Sequence, residues 1–277
     1  GPRAYAEGRE PEFTAEWIRA NPDQATGTRY FTGEEQRRLE RQLTPVTRAY
    51  QLSRIALAKK GLAGLAAFDR SRLSDTDRAS AELMQWQLER VVQGEPYLDY
   101  FFPFEQFQGV NIGLVTPLTS SHPIVVESDA NNYVARLAQV ATRMNEAIEE
   151  ARRIAGTGRI PPRFILRLTI TQMQQFIGTP AAENPYVTVL ASKMESAKDI
   201  SAAKRDSLKG EAEQIVSSEI YPAWRKAIAL LEPLVARATD EAGLWRFDKG
   251  AEIYAYNLRR YTTTTMSADE IHQIGLQ

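Results

Sequence analysis

Apolar residues recur at three- and four-residue intervals over most of this chain, and that period predicts one helix after another. Residues 11–20, with Phe13, Trp17 and Ile18, read as a short amphipathic helix ended by Asn21-Pro22. A longer pattern covers residues 34–59 through Leu39, Leu43, Val46, Tyr50, Ile55 and Leu57, with Pro45 set to kink or divide it and Gly61 and Gly64 to end it. Ser74 opens the next helix, its positive end met by Asp75 and Asp77, and Gly94-Glu95-Pro96 closes it. Ser128 reads as the cap of a long helix to about Ala155, whose face is Tyr133, Leu137, Val140, Met144 and Ile148. Gly156 and Gly158 stop that helix. Pro161-Pro162 start another that runs to about Ile177, since proline suits the first turn. Ser201 caps a helical region to about Ala238 in which Pro222 and Pro233 predict kinks or a split into two or three segments, and Asp248 opens a helix carrying Ile253, Tyr254, Tyr256 and Leu258.

Two stretches break the period. Residues 96–123 are rich in aromatics, Pro and Gly, and residues 184–192 read as a second irregular connection. Ile124-Val125-Val126 is too short for a strand. The pattern therefore predicts a mainly α fold, an elongated array of helices, with residues 1–277 as a single helical unit. At the end of the chain Ser267 and Glu270 have the spacing of a capping box, followed by Ile271, Ile274 and Leu276. So strong a start signal with so little helix after it reads as the front of a longer protein. The alternative is a short final helix closed by Gly275.

Composition narrows the picture. The 277 residues are 43% hydrophobic and 25% charged, an ordinary globular mixture, and the net charge of −1 gives no overall field for nucleic acid or an anionic membrane. Without cysteine there is no disulfide, thiol nucleophile or cysteine–zinc site. No apolar run approaches the roughly 18 residues of a membrane-spanning helix. Gly1-Pro2 reads as a remnant of tag removal, so the absence of a leader in Gly-Pro-Arg-Ala-Tyr excludes nothing.

Candidate chemistry is sparse. The two histidines, His122 and His272, lie 150 positions apart, and no His-Glu-x-x-His occurs, so the chain offers neither metal ligands nor a catalytic residue by motif. There is no Gly-x-Ser-x-Gly elbow, and Gly156-Thr157-Gly158 follows a helix and lacks the Lys-Ser/Thr of a phosphate loop. The aromatics from Tyr97 to Phe107 must mostly pack into a core. Gln106 and Asn111 beside them are polar groups able to meet a peptide backbone in a cleft. His122, before Pro123, and Tyr256 are two further candidate substrate contacts, with packing as the competing role for each. Thr262–Thr265 suits either an extended linker or a turn whose hydroxyls bond nearby backbone.

Several segments taken in order carry a resemblance. They are 102–110 (FPFEQFQGV), 132–137 (NYVARL), 160–166 (IPPRFIL), 219–225 (EIYPAWR), Gly243-Leu244-Trp245, and Tyr261-Thr-Thr-Thr through Asp269-Glu-Ile-His-Gln-Ile-Gly-Leu276. The chain resembles the N-terminal half of the bacterial family catalogued as domain of unknown function 885. It departs from the pattern at Thr265-Met266, where Asp-Leu is expected.

The resemblance implies a helical, zincin-like metallopeptidase architecture about twice this length, with a His-Glu-x-x-His zinc motif in the C-terminal half and, in many members, a secretion or lipoprotein signal. On that implication this chain is the non-catalytic N-terminal half of a secreted or periplasmic hydrolase, with or without a lipid anchor. It would itself hold no cofactor, form one wall of a peptide-binding cleft, and have the zinc-bearing C-terminal half as its partner. Residues Thr262–Leu276 become the junction into that half. The competing reading is a non-catalytic helical binding or scaffold module of a periplasmic protein or lipoprotein.

Overall fold

The computed structural model describes residues 12–277 except 68, 70 and 72; residue 11 and the Gly1-Pro2 reading lie outside the described residues. The fold is mainly helical, with no strand among the described residues. Its contacts divide into two compact units. One comprises residues up to Tyr50 together with Phe102–Thr239; the other comprises Gln51–Phe101 and Asp240–Gln277.

The first unit opens with α1 (Glu12–Arg19), α2 (Pro22–Thr28) and α3 (Gly33–Leu39). Asn21 ends α1 as expected and also caps α2, accepting the Gln24 N–H at 3.1 Å, with Pro22 in the first turn. Ala15, Ile18, Ala25, Phe31 and Leu39 form a small core under these helices. The long helix expected over 34–59 is two: α3 ends at Leu39 and α4 (Arg48–Ala66) begins after a loop containing Pro45. Side chains fill the loop's backbone needs, Gln139 accepting from Leu43 N–H and Glu146 from Val46 N–H, both at 3.1 Å. Residues of α4 from Gln51 onward, and α5 (Asp75–Gln93), belong to the second unit.

The first unit resumes with α6 (Val110–Gly113), a π turn at Pro117–Ser121, α7 (Glu127–Leu137), α8 (Val140–Gly156), α9 (Arg163–Ile177), α10 (Pro185–Ser196), α11 (Ala202–Ile215), a second π turn at Val216–Ile220, and α12 (Tyr221–Arg237). Here three expectations are corrected. The helix predicted from Ser128 starts one residue earlier, and its cap is the Asp129 carboxylate, which reaches back to the N–H groups of Val125 and Val126 at 2.8 and 3.1 Å. That helix is also broken after Leu137, where Gln139 turns its side chain to the Ala135 carbonyl at 2.9 Å and to the 40–47 loop. The connection expected at 184–192 is helical, because Asn184 caps α10 through Tyr186 N–H at 3.0 Å and Pro185 takes the first turn. Pro222 and Pro233 behave differently from each other: Pro222 follows the π turn and Pro233 sits inside α12.

Helices α8, α9 and α12 pack together, as do α7, α10 and α11. Their shared faces bury a continuous core that includes Phe104, Tyr133, Leu137, Met144, Leu166, Leu190 and Trp224. Each such side chain contributes on the order of 2 kcal/mol of apolar burial. Arg163, at the start of α9, ties off the end of α12 by donating to the carbonyls of Ala238 at 2.6 Å and Val235 at 3.3 Å.

The second unit contains α4 from Gln51, α5, a 3₁₀ turn at Glu95–Tyr100, α13 (Gly250–Thr262) and α14 (Ala268–Gly275). Ser74 caps α5 by accepting Asp77 N–H at 3.2 Å, as its spacing predicts. Gly61 and Gly64 do not end α4: neither takes the positive φ that makes glycine a terminator, and the helix passes through both. The Ser267–Glu270 capping box is present in full, with Glu270 N–H donating to Ser267 at 3.2 Å and Ser267 N–H to Glu270 at 2.7 Å. Thr262–Thr265 is the compact alternative rather than a linker: Thr262 donates to the Leu258 carbonyl at 2.8 Å, and Thr263 closes α13 in the left-handed region at φ 58°.

Candidate functional site

Each candidate named from sequence has a definite place. Gln106 and Asn111 are brought together by one residue of α9, Gln172. It accepts from Asn111 Nδ2 at 3.0 Å and donates to the Gln106 backbone carbonyl at 3.4 Å. The side-chain oxygens of Gln106 and Asn111 are buried without a partner among the described residues, so both retain acceptor capacity. Beside them lies a small pocket of about 180 Å³ lined by Asn111, Gln172, Phe176 and Trp224.

His122 is elsewhere in the first unit, 2% exposed, in a buried polar network. Arg136 Nη1 donates to His122 Nδ1 at 2.8 Å. A guanidinium can only donate, so Nδ1 is the acceptor and Nε2 carries the proton, which it gives to the Asp129 carbonyl at 2.9 Å. Both ring nitrogens are thus committed within the chain. Burial, with further push from Arg136 and Lys193, lowers the His122 pKa to about 4 against the opposing hydrogen bond to Asp129. The ring is neutral at pH 7.

Arg136 is the centre of this network and was missed from sequence. At 1% exposure it pairs with Asp23 through Nη2 and donates to the Gln42 carbonyl at 3.1 Å through Nε. A signal existed: Arg136 lies three positions after Tyr133, one turn along an otherwise buried stripe. Lys193 adds a further tie from α10, donating to the His122 carbonyl at 2.8 Å.

Tyr256 belongs to the second unit and is 6% exposed. Its hydroxyl donates to the Arg90 carbonyl at 3.0 Å, its ring lies 5.2 Å from that of Tyr97, and burial raises its pKa. Gly94 makes this approach possible: a Cβ there would meet the Tyr256 hydroxyl at 2.6 Å. Of the aromatic run, Phe104 is in the core and Phe102 packs against it, whereas Phe107 is 75% exposed.

One concavity of the second unit was not foreseen as a whole. A groove of about 630 Å³ runs between the Leu244–Arg246 turn, α13 and the Thr265–Ala268 segment. Its lining is largely apolar, with Leu244, Trp245, Tyr254, Leu258 and Met266, and Arg259 supplies a charge. Trp245 is 77% exposed and Tyr254 51%. The wall is close-set because α13 begins with a glycine: a Cβ on Gly250 would meet the Leu244 carbonyl carbon at 2.6 Å.

Among the described residues no three His, Asp or Glu side chains gather to hold an ion, and His122 has no free nitrogen. Nor, among the described residues, is any helix long and apolar enough to cross a membrane.

Against known proteins, the chain matches the family described as "Bacterial protein of unknown function (DUF885)" over residues 22–277, and it belongs to that family. No curated protein matches it. Among solved structures it is similar to the crystal structure of a "putative lipoprotein" from Colwellia psychrerythraea, with a TM-score of 0.80 and 20% identity. The likeness covers 96% of this chain and 48% of that one, so this chain spans about half the length of its structural relative. At that identity the likeness establishes a shared fold.

Proposed function

We propose that this chain is the non-catalytic N-terminal half of a secreted or periplasmic zinc metallopeptidase-like hydrolase, lipid-anchored or free, and that it forms one wall of a peptide-binding cleft. The observation that carries the reading is the open apolar groove of the second unit, with Trp245 and Tyr254 exposed and Arg259 at hand. Such a surface suits the apolar side chains of an extended peptide, with the guanidinium available to a carbonyl or carboxylate. Membership of the family, and a fold shared with a relative about twice as long, support the expectation of a second half.

In this reading zinc and the residues that use it belong to that C-terminal half, which is this chain's partner. The described residues here do not gather a ligand set. Within the first unit, Gln106 and Asn111 keep buried acceptor oxygens that are unpartnered among the described residues, and they are a separate candidate contact of that unit. His122 and Tyr256 each hold elements within their own unit, since their polar atoms are already engaged.

The test compares the 277-residue chain with the same chain continued into the remaining half of a family member. The longer protein should bind one zinc and hydrolyse peptides, and Trp245→Ser in it should raise KM more than it lowers kcat. The shorter chain should do neither. Tightly bound stoichiometric zinc, or robust peptidase activity, in the 277-residue chain alone would overturn the proposal.

A further inference from the structure

A second pocket lies wholly within the first unit, and its chemistry differs from that of the groove. It encloses about 570 Å³ between the end of α3, α7 and α11. Arg37 and Arg41, four positions apart, line it together with Glu40, Asn132, Leu208 and Glu211. Glu40 is a buried carboxylate, 8% exposed, whose oxygens accept from Gln36 at 2.9 Å and from Asn132 at 3.4 Å. Arg29 stands 3.8 Å from it and closer to Asp129, at 3.0 Å. A carboxylate offers about four acceptor positions, so Glu40 has capacity left. Arg37, Arg41 and Glu211 are exposed, and among the described residues their side chains form no ion pair or hydrogen bond.

One pocket therefore presents two unpaired guanidinium groups and two carboxylates, one buried and pre-organised, the other exposed and uncommitted. Arginine forks match a carboxylate in two-bond geometry, and the acids match an ammonium group. A single small molecule satisfies both only if it carries both charges. Leu208 and Val134 add apolar lining that suits an uncharged side chain. We propose that this pocket binds a small zwitterion of the amino-acid or dipeptide class, its carboxylate on Arg37 and Arg41 and its ammonium toward Glu40 and Glu211. The site stands apart from the peptidase reading: it uses residues of the first unit only, and it holds or fails whether or not the longer protein cleaves peptides.

The experiment titrates the 277-residue chain with Ala-Ala dipeptide by calorimetry or chemical-shift mapping, beside N-acetyl-Ala-Ala and Ala-Ala-amide, each of which lacks one charge. Saturable binding of the free dipeptide is expected, with each blocked form weaker by roughly tenfold or more. The double variant Arg37→Gln/Arg41→Gln should lose selectivity for the free carboxylate, and Glu211→Gln should lose selectivity for the free amine. All three side chains are exposed, so the variants should unfold thermally like the parent. No saturation at millimolar dipeptide, equal binding of the blocked forms, or unchanged binding by the double variant would each overturn the proposal.

Discussion

The two units spend their apolar residues in different proportions. In the first, helices α7 to α12 close on a continuous core, and even a charged residue, Arg136, is drawn inside and satisfied there. In the second, the buried side chains are few, Ile55, Leu57, Leu88, Ile253 and Tyr256 among them, while Leu52, Leu83, Trp245, Tyr254, Tyr261, Ile274 and Leu276 stand exposed. The first unit has the organisation of a self-sufficient fold. The second keeps its helices with local devices, such as caps, a tyrosine-to-carbonyl bond and a glycine contact, and leaves several of its large apolar side chains outward. Exposed apolar area of this kind is costly to leave wet, and it marks where binding would release the most free energy.

The sharpest way to break this contrast is at Arg136. Replacing it with Met leaves the Asp23 carboxylate and the Gln42 carbonyl without their partner, and should destabilise the first unit by about 3–5 kcal/mol. Denaturant unfolding checks this, and a loss under 1 kcal/mol would show that the network is not structural. Next comes acid. His122 titrates near 6.5 in the unfolded chain and about 4 in the fold, so the unfolded state takes up the proton first as pH falls. Its contribution is complete above pH 6.5 and is lost between there and pH 4, amounting to about 3 kcal/mol. Urea midpoints from pH 7.5 to 4.5 should fall more steeply for the parent than for His122→Gln.

In the second unit, Gly94→Ala should cost about 1–3 kcal/mol, because the new methyl displaces Tyr256 from the Arg90 carbonyl. Hydrogen exchange should show the loss in α5 and α13 and leave α8 and α12 as before. The smallest effect is expected at Trp245. As an exposed side chain its change to Ser should alter stability by no more than about 0.5 kcal/mol, while reducing self-association at high concentration as read by sedimentation. A large stability loss there would mean that the groove is packed in this chain, and the contrast between the units would fall.

Much of the helical pattern was legible because local chemistry and tertiary structure agree. Ser74, Ser201 and Ser267 all accept a backbone N–H three residues on, as their spacing announced. What escaped depends on partners distant in sequence. The break after Leu137 serves the 40–47 loop through Gln139, nearly a hundred residues away. Glycines in α4 read as stops because glycine is permissive, but permission is not instruction, and the helix runs on. Of the site candidates, Gln106 and Asn111 meet through Gln172, a residue with no motif to announce it. The second pocket of the first unit combines α3, α7 and α11, which no local window joins.

The locked ring of His122 has a use of its own. Its Nε2 proton is buried, hydrogen-bonded to a carbonyl and fixed on one nitrogen, whereas His272 is exposed on the last helix. Of the two imidazole N–H groups, only that of His122 has the shielding to exchange slowly with solvent and give a persistent downfield proton resonance. That single signal reports the opening of the first unit alone, in a sample with no label beyond the protein's own protons.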